Sequence, residues 1–180
     1  MSGENLVYLL IGIIVIIFFT NTFYNNTSEN FTNNILYKLP NQLTAKKAKA
    51  MVLSCMDFRL IDDEVYYFNK IGYTNNYDKF ILAGASLGYN QDKFPTWSDT
   101  FDKHIEFAID LHQIDEIMVV DHMGCGAYKI LYNKQSLSKQ EEYELHKKNL
   151  IKFKNIINKK FPSLIVSTLL MDIDGSIIKL

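Results

Sequence analysis

Two short segments carry the residues that could do chemistry in this chain. The first reads CMDFR at residues 55–59 and the second reads HMGC at residues 122–125, and together they hold both cysteines. Two thiolates and one imidazole form a ligand set typical of catalytic zinc sites, in which three protein side chains leave a fourth position open. We therefore predict that Cys55, His122 and Cys125 bind one zinc ion.

The spacing within the second segment supports this prediction. His122 and Cys125 are three residues apart, so both side chains can reach one ion across a tight turn, and Gly124 and Gly126 let the backbone bend there. Either motif alone would be weak evidence for a metal site, because a buried free cysteine is most often a small core residue. Their combination indicates a metal site.

The two cysteines allow other uses that the sequence alone leaves open. A disulfide scaffold is not expected, since only one bridge can form. A single bridge between Cys55 and Cys125 remains an alternative, as does a thiol redox role. The redox role would leave His122, Asp57 and Arg59 without a common purpose, so the metal site is favoured.

Apolar runs of strand length lead into both segments. We predict strands at residues 48–54, 79–83, 116–120 and 165–170, and amphipathic helices at residues 98–112 and 142–161. Alternating strands and helices predict an α/β fold with a mostly parallel central sheet of about four strands flanked by helices. Ligands then gather at the carboxyl ends of the strands.

The last ten residues carry a hairpin signal. Asp174-Gly175 lies between apolar stretches, which predicts a turn and an antiparallel edge strand that includes Ile177 and Ile178.

The N-terminal segment differs in character from the rest. An uncharged apolar run from Leu6 to Phe19 predicts a membrane anchor over residues 1–24 and a single-pass, membrane-anchored protein. A cleaved signal sequence and a buried helix are the alternatives, and the side of the membrane stays open. Residues 25–44 read as a polar linker, and residues 45–180 as the zinc domain.

Composition limits the class of partner. The 180 residues carry a net charge of −1 and no dense basic run, so nucleic-acid binding is not expected. A small neutral or weakly charged substrate fits better.

The two segments resemble the C-x-D-x-R and H-x-x-C signatures of the β-carbonic anhydrases. The resemblance covers residues 48–180, including the helix and strand that precede His122 and the terminal hairpin, and describes a compact member without the usual N-terminal helical extension. It implies reversible hydration of carbon dioxide to bicarbonate by a zinc-bound hydroxide that Asp57 and Arg59 orient. It also implies a homodimer or higher homo-oligomer.

Two other functions stay open beside carbonic anhydrase activity. The chain could be a catalytically inactive zinc-binding module in which Asp57 closes onto the metal as a fourth ligand. It could also be a zinc hydrolase that acts on another small molecule resembling carbon dioxide.

Three features depart from the family pattern. Phe58 replaces a smaller residue and is expected to narrow the substrate pocket. Residues 81–85 read ILAGA where many members read RNAGN, which removes groups that support loops and the dimer. Asp121 precedes His122 where a neutral residue is common, and is expected to bring negative charge beside the metal.

The remaining histidines are predicted to lie outside the site because none has a ligand set of its own. His104 and His112 fall on an amphipathic helix. His146 falls in a Lys- and Glu-rich segment expected to be solvated.

Overall fold

A five-stranded sheet forms the centre of the chain. The computed structural model describes residues 36–37 and 46–180. The strands follow the sheet order β2-β1-β3-β4-β5, and their bounds are β1 Ala50–Ser54, β2 Tyr77–Ile81, β3 Glu116–His122, β4 Ile165–Met171 and β5 Ile177–Lys179. The first four are parallel to one another, and β5 pairs antiparallel with β4. The predicted α/β fold and antiparallel edge strand are confirmed.

Helices connect the strands. Their bounds are α1 Ile61–Lys70, α2 Ser86–Tyr89, α3 Pro95–Phe107, α4 Gly126–Leu131 and α5 Lys139–Lys160. A 3₁₀ turn at Phe58–Leu60 precedes α1, and a π-helical segment at Ala108–His112 extends α3. The two predicted helices correspond to α3 with its extension and to α5. The sequence patterns did not predict α1, α2 or α4.

Local sequence explains where the long helix α5 begins and ends. The Ser138 side chain accepts a hydrogen bond from the Glu141 backbone N–H, and the Glu141 carboxylate accepts one from the Ser138 N–H. This reciprocal cap satisfies backbone donors that the first helical turn leaves free. Pro162 follows the last turn and cannot continue the helix.

Both faces of the sheet are buried, as expected for a parallel sheet between helices. Met51 and Leu53 of β1 pack into a cluster with residues of α3 and α5. Ala50 and Val52 of the same strand face the other way, into a smaller cluster that includes Phe68 of α1. Because side chains alternate along a strand, continuous apolar runs serve both layers.

The predicted membrane anchor lies outside the described residues and stays a prediction. Within residues 46–180, no helix combines the length and apolar character needed to cross a bilayer.

Candidate metal centre

Three elements bring the predicted ligands together at the carboxyl edge of the sheet. Cys55 directly follows β1, His122 ends β3, and Cys125 is the residue before α4. Strands β1 and β3 are parallel neighbours, so the residues that follow them meet. The ligand atoms of the three side chains all lie within 4.8 Å of one another.

The geometry of this cluster fits a zinc ion. The two Sγ atoms are 3.9 Å apart, and two sulfurs bound at about 2.3 Å to tetrahedral zinc would be about 3.8 Å apart. His122 Nδ1 lies 2.9 Å from the Met123 carbonyl oxygen, which can only accept, so Nδ1 carries the proton. Nε2 then offers its lone pair.

That Nε2 atom is buried and meets no hydrogen-bond partner among the described residues. Buried polar atoms are rarely left in this state. A metal ion would supply the missing partner, and the bond from Nδ1 to a carbonyl is the usual way in which a metal-binding imidazole is oriented.

Hydrogen bonds prepare one sulfur to act as a thiolate. The Cys125 thiol chiefly, with help from His122 and the Gly84 backbone N–H, lowers the pKa of Cys55 against the opposing effect of burial. The same hydrogen bond, together with burial, raises the pKa of Cys125. Both cysteines are free, so the bridge that the sequence left open is not formed.

Asp57 and Arg59 form a two-pronged ion pair beside the cluster. Arg59 Nε donates to Asp57 Oδ1 at 2.9 Å and its Nη2 donates to Oδ2 at 2.7 Å. The guanidinium hydrogen bond lowers the pKa of Asp57 to about 2, so the carboxylate is ionised at neutral pH. Asp57 Oδ2 lies 3.8 Å from His122 Nε2.

Arg59 also fixes the second ligand segment. Its Nη2 donates to the Gly124 carbonyl oxygen at 3.1 Å, across 65 residues of sequence. Gly124 has a φ of +72°, a left-handed conformation that glycine adopts at little cost. One side chain therefore holds the Asp57 carboxylate and the turn that presents Cys125.

An open cavity of about 630 Å³ lies over the cluster. Its lining includes both cysteines, the Asp57–Arg59 pair and several apolar or small side chains, among them Met56, Phe58, Ala83, Ala127 and Ile130. Phe58 lines this cavity and is 81% exposed, and the expectation that it narrows the pocket stays a prediction.

The 81–85 loop, which departs from the family pattern, contacts Cys55 through its backbone. Gly84 N–H donates to Cys55 Sγ at 3.4 Å, and a Cβ at Gly84 would come within 3.2 Å of the Ala127 Cβ. Ala85 has a φ of +40° and is fully buried, a strained conformation for a residue with a side chain. The loop thus supports a sulfur ligand without the arginine and asparagines common in the family.

The expectation that Asp121 brings charge beside the metal stays a prediction, and the structure shows that this carboxylate is buried and paired. Asp121 and His122 are consecutive on β3, so their side chains point to opposite faces of the sheet. Asp121 accepts hydrogen bonds from the Ser86 N–H at 2.9 Å, the Tyr128 hydroxyl at 2.6 Å and His146 Nδ1 at 2.9 Å. Its carboxylate is sealed inside the protein.

The expectation that His146 lies in a solvated segment is wrong. The side chain is completely buried. A closer inspection of spacing would have indicated this, because His146 shares one helical face with Leu150, Phe153 and Ile157, which are buried too. Exposed positions for His104 and His112 agree with the sequence-based interpretation.

Comparison with known proteins identifies the family of this chain. Residues 45–177 match a family model described as "Putative carbonic anhydrase". An uncharacterized protein of Rickettsia conorii is 42% identical over 133 residues, which is 73% of this chain and 72% of that protein. An uncharacterized protein of Rickettsia bellii is 42% identical over 135 residues, 74% of this chain and 82% of that protein.

Solved structures show the same fold. The β-carbonic anhydrase CafD of the filamentous fungus Aspergillus fumigatus superposes with a TM-score of 0.53, covering 79% of this chain and 94% of that chain at 10% identity. The low identity restricts that likeness to the fold, and the match to the family model supplies the assignment. This chain is a divergent member of the β-carbonic anhydrase family.

Proposed function

We propose that this protein catalyses the zinc-dependent, reversible hydration of carbon dioxide to bicarbonate, with Cys55, His122 and Cys125 as the zinc ligands. The observation that carries the proposal is the convergence of these three donors around an unpartnered His122 Nε2, beside a carboxylate held by arginine. When bound, zinc lowers the pKa of water from 15.7 to about 7 and so supplies a nucleophile at neutral pH.

Asp57 would orient the attacking water. An ionised carboxylate only accepts hydrogen bonds, so Asp57 can take one from the water and aim the oxygen lone pair at the substrate carbon. Arg59 occupies both carboxylate oxygens with directional bonds, which fixes the carboxylate and keeps it ionised. This pairing favours an orienting role for Asp57 over permanent ligation of the metal.

The cavity suits both the substrate and the released proton. Carbon dioxide has no net charge or dipole, and the apolar side chains Met56, Phe58 and Ile130 line the approach to the cluster. Addition of water to carbon dioxide yields bicarbonate and one proton. Because the cavity opens to solvent, the proton can leave to buffer.

We also propose a homo-oligomer, the smallest being a homodimer. Met56, Phe58, Ile81 and Ile130 are large apolar side chains that stand exposed in the protomer. Exposed apolar groups that cluster on a surface commonly mark an interaction site.

The test is zinc content and carbon dioxide hydration of the purified full chain. We expect about one zinc per chain, hydration above the buffer rate, and loss of both in Cys55→Ala. The variant Met56→Ala, next to the ligand, is the matched control and should keep zinc. Zinc binding without hydration would contradict the proposed reaction and favour a non-catalytic module, and light scattering on the same sample tests the dimer.

A further inference from the structure

Two buried side chains of α5 lie behind the metal cluster and take no part in the proposed reaction. Glu142 and His146 are four residues apart, so they stand one turn above each other on the same helical face. Glu142 is 6% exposed and His146 is fully buried.

Glu142 holds the backbone of a ligand. Its Oε1 accepts a hydrogen bond from the Cys125 N–H at 3.0 Å. The carboxylate therefore helps to fix the turn that presents the Cys125 sulfur, together with Arg59, which holds the Gly124 carbonyl.

His146 connects this carboxylate to the strand that carries the second ligand. Its Nδ1 lies 2.9 Å from Asp121 Oδ2, and its Nε2 lies 3.8 Å from Glu142 Oε1. The imidazole also packs against the Tyr128 ring, with centroids 3.8 Å apart and an angle of 38° between the ring planes. Asp121 directly precedes His122 in the chain. The contacts Asp121–His146–Glu142 therefore connect the residue before one proposed ligand to the backbone of another.

Electrostatics make His146 the central member of the contacts Asp121–His146–Glu142. Two carboxylates as buried as Asp121 and Glu142 repel one another unless positive charge lies between them. Burial disfavours the imidazolium, but the hydrogen bond to Asp121 and the nearby Glu142 carboxylate outweigh it and raise the pKa of His146.

We propose that His146 is a positioning residue of the metal centre, which fixes the backbone at His122 and Cys125 through Asp121 and Glu142 without touching a ligand. The inference rests on the proposed zinc site. Removing groups that orient metal ligands typically weakens metal affinity roughly 10- to 100-fold. We expect an effect of that size from a side chain that lies outside the cavity.

The test compares zinc affinity, measured by chelator competition, and the absorption spectrum of the cobalt-substituted full chain. His146→Leu should bind zinc roughly 10- to 100-fold more weakly and show altered cobalt bands. His146→Asn should restore part of both, because its amide can donate to Asp121 from the position of Nδ1 but brings no positive charge. His104→Leu, at an exposed histidine, is the matched control and should bind like the wild type.

The outcomes separate this inference from the proposed function. A wild-type chain that fails to bind zinc contradicts the proposed function itself. A wild type that binds, with a His146→Leu variant of equal affinity and unchanged cobalt bands, overturns the positioning role, even if the variant is less stable to heat.

A second pair of variants covers the case in which His146→Leu does not fold. Glu142→Gln keeps an oxygen that can accept from the Cys125 N–H, and Glu142→Ala removes it. We expect weaker zinc binding in Glu142→Ala than in Glu142→Gln. Equal, wild-type affinity in both would overturn the inference.

Discussion

Two aspartates adjoin the proposed ligands in the sequence, and the fold uses them differently. Asp57 follows Cys55 by two residues, pairs with Arg59 and lines the open cavity. Asp121 precedes His122 by one residue, pairs with His146 and is sealed from solvent. A carboxylate that orients water must be reachable from the cavity, whereas one that fixes backbone works best where water cannot compete.

The difference follows from the local backbone. Asp57 begins a 3₁₀ turn beyond the end of β1, and its Oδ1 accepts the Arg59 backbone N–H at 3.1 Å. Asp121 is still within β3, where alternation sends it to the face opposite His122. Two aspartates close to a ligand in sequence therefore differ in their access to the cavity.

The largest effect is expected for Asp121→Asn, measured as the free energy of unfolding of the metal-free protein in denaturant. An amide has one accepting oxygen, so its NH2 group would face either the Ser86 N–H or His146 Nδ1, both of which donate to Asp121, and the negative charge paired with His146 would be lost. Breaking a buried ion pair typically costs about 3–5 kcal/mol. Asp57→Asn is the matched control, with a cost of about 1 kcal/mol or less because its pair is partly exposed. Equal costs would contradict the contrast between the two aspartates.

The second-largest effect is expected for Asp57→Asn with zinc bound, measured as the rate of carbon dioxide hydration. An amide can donate as well as accept, so the orientation of the attacking water is lost, and a misplaced reactant typically costs about 100-fold in rate. The kcat for carbon dioxide hydration is the measurement, with zinc content as the check on the metal site. A variant that keeps zinc and full kcat would exclude the orienting role.

The smallest effect is expected for Arg59→Lys, followed as stability against pH in the metal-free protein. Arg59 lowers the pKa of Asp57 from 3.8 to about 2, so the pair contributes stability above pH 4 that is lost as the pH falls toward 2. Lysine cannot reproduce the two-pronged geometry. The variant should be less stable by about 1 kcal/mol or less near neutral pH. The difference should shrink as the pH falls through about 2, down to what the bond from Arg59 to the Gly124 carbonyl contributes. A difference that does not change with pH would contradict a role for the Asp57 carboxylate.

The sequence predicted the parts of the fold that depend on continuous apolar runs. Strands β1, β3 and β4 are buried on both faces, so their residues read as unbroken hydrophobic segments, and the ligand motifs follow two of them. Helix α1 was missed because only Glu64 and Phe68 of its ten residues are buried, too few to produce a helical period. Helices α2 and α4 are too short to show one.

The ligand motifs of the site could be predicted from the sequence, but the groups that orient the ligands could not. Cysteine and histidine spacing indicates which residues can meet a metal, but the partners of His122 Nδ1 and Cys125 N–H are backbone and side-chain groups fixed only by tertiary packing. Glu142 and His146 belong to a segment rich in Lys and Glu. Their charge pattern resembles that of an exposed helix, and only the apolar residues one and two turns further along reveal the buried face.

The separation of Cys55 and Cys125 by 70 residues has a consequence for folding. Parallel pairing of β1 with β3 requires closure of a long loop before any contact forms, which makes such topologies slow to fold. An ion that binds only the native chain at 1,000 times its Kd adds about 4.1 kcal/mol of stability. Under the proposed zinc ligation, a cell short of zinc would therefore hold a less stable protein as well as an inactive one.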